Sequence, residues 1–254
     1  MGFAVAGLAG LLLAAVGFYV TTFAMAFARP PRPQRLLEAF LGEIVAGLQI
    51  LSLWPLGLFA RRVPVPAAPH PHPILLIHGL GLNRSCWFWL MRRLRGARLG
   101  PLYSINYNSL ARVAHSAARI ELFIEEICRE SGCERVTVIA HSLGGLVARH
   151  YIEQRGGDAR VEKLITLGTP HHGTRLARRA TVPVIHDLTV KARVPSPDPS
   201  NYLSIWSTCD NLISPADSSR LAPPADNLVF DNLGHMALLT SPRVAQAIVS
   251  TLGG

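Results

Sequence analysis

Short apolar runs recur along the last two thirds of the chain, near residues 74–78, 102–106, 135–140, 163–167, 202–207 and 226–230. Each has the length of a buried strand and predicts one. The pattern changes period between them. Ser85–Arg95, Val113–Glu130, Leu143–Arg155 and Pro242–Leu252 predict helices. Ile120, Ile124 and Ile127 fall at helical spacing and belong to a core-facing stripe. Strands alternating with helices predict an α/β domain, a mostly parallel sheet of about six strands covered by helices on both faces. No internal repeat interrupts the alternation.

The first third of the chain reads differently. Residues 1–28 contain no charged side chain. At about 1.5 Å per residue, a helix of that length crosses a hydrocarbon core of ~30 Å. Its start lacks Lys and Arg, and its apolar run exceeds the core of a signal peptide. An uncleaved span is therefore expected, although Ala24-Met25-Ala26 has the form of a cleavage site. Ile44 to Ala60 is a second uncharged stretch, preceded by Glu38 and Glu43 and weakened by Pro55 and Gly57. It lies at the lower length limit for a span, so it predicts either a second membrane helix or an interfacial one. If it spans with Arg29–Arg35 inside, the rest of the chain lies outside the cytoplasm; a single span with those arginines inside leaves it within. Pro64, Pro66, Pro69, Pro71 and Pro73 then predict an extended tether. The expected organisation is a membrane-anchor region over 1–62, a tether over 63–72 and the α/β domain over 73–254.

The net charge of +9 comes almost entirely from Arg, since Lys163 and Lys191 are the lysines. Arg92, Arg93, Arg95, Arg98, Arg178 and Arg179 are scattered and not interleaved with aromatics. That excludes the usual nucleic-acid modules and suits a solvated surface near anionic lipid. Cys86, Cys128, Cys133 and Cys209 show no C-x-x-C spacing and are expected to be free thiols, although Cys128 and Cys133 are near enough in sequence to pair. His171 and His172 are adjacent, with no third ligand at metal-binding spacing, so neither metal nor cofactor is expected.

The candidate chemistry centres on Ala140-His141-Ser142-Leu143-Gly144, directly after the strand Arg135–Ile139. Ala140 two before Ser142 and Gly144 two after it allow a sharp strand-to-helix turn that lifts its hydroxyl out of the sheet. The bland alternative is a Ser capping an ordinary helix. A nucleophilic Ser needs a base, and the base needs an orienting acid. Asp210 follows the strand 202–207, and His235 follows the strand 226–230. Both therefore sit past strand C-termini, where open α/β sheets place their sites. Asp217, Asp226 and Asp231 compete for the acid role, and Asp210 is preferred for its place after the penultimate strand. His78-Gly79-Leu80-Gly81 follows the first core strand. The backbone N–H groups of Leu80 and Leu143 are expected to form an oxyanion hole.

These motifs, with Gly168-Thr169-Pro170-His171-His172-Gly173-Thr174 and Gly234-His235-Met236-Ala237-Leu238-Leu239, resemble those of bacterial α/β-hydrolase lipases and esterases. The likeness is strongest to small lid-less lipases with Ala before the nucleophile, and it covers roughly 72–252. The resemblance implies ester hydrolysis through an acyl-enzyme, with Ser142, Asp210 and His235 as triad. His78, Gly79, His141 and His171 are expected to line or shape the substrate site, with His78 hydrogen-bonded within the oxyanion loop and not transferring a proton, and His141 facing away from substrate or lining its pocket. The segment Arg175–Ser200, rich in Pro, is the natural place for a short cap, with Val182, Val184 and Ile185 available to acyl chains.

The expected function is a membrane-anchored serine esterase or lipase at the bacterial inner membrane, acting on an ester or lipid. Thioesterase, amidase and acyltransferase activities share the fold. A catalytically silent binding or scaffolding domain is the alternative of another class; it would not require Ser142, Asp210 and His235 together. The sequence carries no signal for oligomeric state. All four site motifs lie beyond the tether, so the sequence alone assigns the N-terminal region no part in the site.

Overall fold

A computed structural model describes residues 2–28, 33–59, 73–175, 177 and 199–253. Two long helices come first, α1 (Gly2–Ala26) and α2 (Leu36–Phe59). The strands are β1 (Ile74–Ile77), β2 (Leu102–Ile105), β3 (Val136–His141), β4 (Val161–Leu167), β5 (Tyr202–Ser207) and β6 (Asp226–Phe230). Between and after them run α3 (Phe88–Gly96), α4 (Val113–Ser131), α5 (Leu143–Gln154), α6 (Ala237–Thr240) and α7 (Pro242–Gly253). The six strands form one sheet in the order β2-β1-β3-β4-β5-β6, and every pairing is parallel.

Side chains alternate across each strand and divide the core in two. Leu75, Ile77, Val138 and Ala140 face α4 and α5, where Ile120, Ile124, Ile127 and Val147 meet them. Ile74, Leu76, Ile139 and Ile165 face the other way, onto Leu90 and Leu94 of α3 and Val244 and Ile248 of α7. α4 stops at Gly132, whose φ of 69° is a left-handed turn that favours Gly. Strand order reverses at β1, so the loops after β1 and β3 open side by side at the C-terminal edge of the sheet. Cys128 and Cys133 are free thiols with their sulfurs 3.2 Å apart.

The second apolar segment departs from its sequence reading. The helix begins at Leu36, not near Ile44, and takes in Glu38 and Glu43. A charge inside an apolar helix is tolerated when its carboxylate finds partners, and Glu43 does. Ala39, Glu43, Ala46, Gly47 and Ile50 recur at helical spacing and are buried. Ile50 belongs to the core beneath α3 and α7. Leu37, Leu41, Val45, Leu51, Leu56 and Phe59 lie exposed. By length and composition α2 suffices to cross a membrane, yet its buried face rests on the α/β domain from end to end. Near its end, Asn83 donates to the Trp54 carbonyl at 2.9 Å, and Asn106 donates to the Gly57 carbonyl at 2.9 Å. α1 packs on α2 through Phe23 and Phe40, whose rings meet edge-on at 5.3 Å. The proline-rich tether and nearly all of the expected cap, including Val182, Val184 and Ile185, lie outside the described residues.

Candidate active site

Ser142 sits on the turn between β3 and α5 with φ 54° and ψ −124°, a conformation that L-residues rarely hold. The surroundings enforce it. Gly144 lies so close to β1 that a Cβ there would stand 2.5 Å from the Ile77 carbonyl and 2.6 Å from that of His78. The Ser142 N–H donates to the Leu167 carbonyl at 2.9 Å, and its carbonyl accepts the Thr169 hydroxyl at 3.0 Å. Leu143 opens α5, so its N–H stands at the helix start, one residue after Ser142. Gly79 backs onto the same spot, where a Cβ would come 3.0 Å from that of Ser142. Leu80 follows it, partly buried against the core.

Asp210 and His235 meet at the same edge. Both are buried, and His235 Nδ1 donates to Asp210 Oδ2 at 2.8 Å. The other carboxylate oxygen accepts the N–H groups of Leu212 at 2.9 Å and Ile213 at 2.8 Å. Asp210 is thus an acceptor on both sides, and it fixes the imidazole proton on Nδ1. Burial lowers the His235 pKa. The Asp210 charge and hydrogen bond, with the Glu43 charge, outweigh it and leave the group above its usual 6.5. The competing carboxylates are elsewhere: Asp217 and Asp226 are exposed, and Asp231 lies 3.6 Å from the Arg35 guanidinium. Ser142 approaches the pair through its neighbour, since the His141 and His235 rings lie 4.6 Å apart. Among the described residues no hydrogen bond joins the Ser142 hydroxyl to His235; such bonds often close only when substrate binds.

Three of the residues expected to line or shape the site, His78, His141 and His171, have buried rings held by hydrogen bonds inside the fold. His78 donates from Nδ1 to the Gly79 carbonyl at 2.9 Å and stacks on Tyr107 at 4.5 Å. Burial pushes its pKa down to about 4, so it is neutral. His141 donates from Nε2 to the His235 carbonyl at 3.3 Å, and burial with the nearby His235 keeps it neutral. His171 belongs to a directed chain. Arg149 donates to its Nδ1 at 3.2 Å, its Nε2 donates to Thr166 at 3.0 Å, Thr166 to Ser204 at 3.3 Å, and Ser204 to the Ser219 carbonyl at 2.6 Å. Burial and the Arg149 charge hold it neutral as well. Among the described residues no cluster of His, Cys, Asp and Glu has the arrangement of a metal site.

The family model described as palmitoyl protein thioesterase matches residues 73–220, more than half of the chain. The chain belongs to that family. Solved structures agree on the fold. The mature lipase BlEst2 of Bacillus licheniformis is 18% identical over 75% of this chain and 96% of its own, with a TM-score of 0.64. Aspergillus fumigatus lipase B is 18% identical over 75% of this chain and 55% of its own, with a TM-score of 0.59. The metagenomic carboxyl esterase MGS0156 is 13% identical over 75% and 78%, with a TM-score of 0.55. The protein is an α/β-hydrolase of the lipase, esterase and thioesterase type.

Two groups in this thioesterase-family site escape motif reading. Asn211 accepts the His235 N–H at 3.1 Å and donates to the Thr22 hydroxyl of α1 at 2.9 Å. Glu43 of α2 is wholly buried against the His235 loop. Burial pushes its carboxyl up to about 7, against the pull of the Met236 N–H, the His235 charge and the Ala237 N–H. The one sequence signal for Glu43 was its place among Ala39, Ala46 and Gly47, a stripe of small residues at helical spacing.

Proposed function

We propose that this hydrolase is a membrane-attached serine acyl hydrolase that cleaves carboxylic esters through an acyl-enzyme. The Asp210–His235 hydrogen bond, formed beside the strained Ser142 turn, carries the reading. Ser142 Oγ attacks the acyl carbon as His235 takes its proton, while the Leu80 and Leu143 N–H groups bind the oxyanion. His235 then protonates the leaving group. Water attacks the acyl-enzyme with His235 as base, releasing the acid and freeing Ser142. Asp210 holds the imidazole tautomer throughout. The family match favours acyl thioesters as a second substrate class, served by the same steps with a thiol leaving.

In this reading residues 1–62 attach the chain to the membrane, 63–72 tether it and 73–254 carry the reacting groups. α1 inserts by its uncharged N-terminal part, because from Tyr19 onward it packs on α2 and, through Thr22, on Asn211 of the α/β domain. α2 lies along the surface, because a span has lipid on every side and α2 has the α/β domain along one of them. Its exposed Leu37, Leu41, Val45, Leu51 and Leu56 suit the boundary layer. A single span followed by Arg29, Arg32 and Arg35 places the domain in the cytoplasm. The test is hydrolysis of matched p-nitrophenyl esters and acyl thioesters of increasing chain length by the full chain and by Ser142→Ala. Loss on the order of 10⁴–10⁶ in kcat, together with loss of fluorophosphonate labelling, is expected. Persistent labelling of the Ala variant refutes the nucleophile.

A further inference from the structure

We propose that Glu43 of α2 is a positioning residue for His235, so that the second N-terminal helix is a working part of the active site and not only an attachment. The proposal rests on the assignment of His235 as the base.

The geometry is specific. Glu43 Oε2 accepts the N–H of Met236 at 2.8 Å and that of Ala237 at 2.9 Å, and Oε1 stands 3.0 Å from the Met236 N–H. Gly234 lies flat on the same side chain, where any Cβ would collide with the Glu43 carboxylate. His235 is therefore gripped on both flanks. Its own N–H is held by Asn211, which in turn donates to the Thr22 hydroxyl of α1. Three consecutive N–H groups, 235 to 237, thus end on side-chain oxygens, two of them on a helix 193 and 194 residues away. With the main chain fixed there, the His235 ring meets Asp210 at 2.8 Å.

The opposite end of α2 touches the other half of the site. Trp54 donates from its indole to the Gly81 carbonyl at 3.2 Å, in the loop that carries Leu80. Asn83 of that loop returns a bond to the Trp54 carbonyl. One helix thus braces both the base loop and the oxyanion loop.

Cost argues in the same direction. A fully buried carboxylate is expensive to desolvate, and an attachment helix would dock as well with Leu or Ala at that place. What an apolar residue cannot do is accept two backbone N–H groups and place a negative charge near the imidazolium that forms during the reaction. The titratable groups facing Glu43 are His235 and Asp210 from the catalytic loops and Tyr19 from α1, which packs on α2 at Gly47.

Two full-length variants separate position from charge. Glu43→Gln keeps a carbonyl oxygen where Oε2 accepts both N–H groups but removes the charge. Glu43→Ala removes both. The Ala variant is expected to lose on the order of 10–100-fold in kcat and in fluorophosphonate labelling rate, with KM unchanged. The Gln variant is expected to recover most of that loss, with the acid limb of its kcat/KM profile moved to lower pH, because a charge that raises the His235 pKa is gone. A folded Ala variant with wild-type kcat, labelling rate and pH profile overturns the proposal. If the Ala variant does not fold, Gln decides alone, and an unmoved acid limb overturns it. Ser142→Ala runs alongside. Should that variant remain active, the serine-hydrolase assignment falls and this proposal with it; Ser142-dependent activity that ignores Glu43 rejects the role of Glu43 alone.

Discussion

Replacing Asp210 with Asn exchanges one atom in a buried site, and the hydrogen bonds around that carboxylate decide the outcome. The Asn side chain has one oxygen for two positions. At the Oδ1 position it keeps the Leu212 and Ile213 N–H groups, and the amide then faces His235 Nδ1. The reverse orientation points the amide at two buried N–H groups and leaves them without an acceptor, at about 1–3 kcal/mol each. The first orientation wins. Donor would then face donor unless His235 moves its proton to Nε2, and an imidazole protonated there has no lone pair for the Ser142 hydroxyl. The expected loss is about 10⁴ in kcat, or about 5 kcal/mol of transition-state stabilisation. Steady-state hydrolysis of a short p-nitrophenyl ester measures it, and circular dichroism checks that the fold is kept. A loss below about tenfold in a folded variant refutes this reasoning. So does a damaging Asp217→Asn beside a silent Asp210→Asn.

The same geometry sets other expectations. Gly144→Ala drives a Cβ against the Ile77 and His78 carbonyls, backbone atoms with no rotamer to yield; a lowered Tm, roughly 1–3 kcal/mol, and reduced kcat are expected, and an unchanged melt counts against the packing argument. His235 titrates above 6.5 and must be neutral to accept the Ser142 proton, so kcat/KM falls as pH drops through that raised pKa; a rate profile with its acid limb centred below 6.5 contradicts it. The full-length chain is expected to pellet with membranes and resist carbonate extraction, whereas a mature N-terminus near Phe27 in the soluble fraction would identify a cleaved signal.

Strand placement was legible because it is local. An apolar run such as 202–207 reads as a buried strand from its own residues, and β5 occupies those positions. The turn at Ser142 was legible for the same reason, since small residues at fixed offsets state what the backbone must do. Even Asp210 could be singled out, because α/β chains return each strand to the same edge and the residue after a strand end lands there. The role of α2 was not legible. An uncharged run starting at Ile44 says only that the segment avoids water, and Glu43 fell just outside it. Whether a carboxylate is solvated or buried depends on what packs over it, and here that is a loop 193 residues further on. The bond of His78 within its own loop was legible, whereas the partners of His141 and His171 were not, since they come from distant segments. Sequence by itself determined the strands, the turn and which candidate groups follow the strand ends, through short-range pattern. Tertiary structure decided which groups support them, because burial and hydrogen-bond partnership are properties of distant segments brought together.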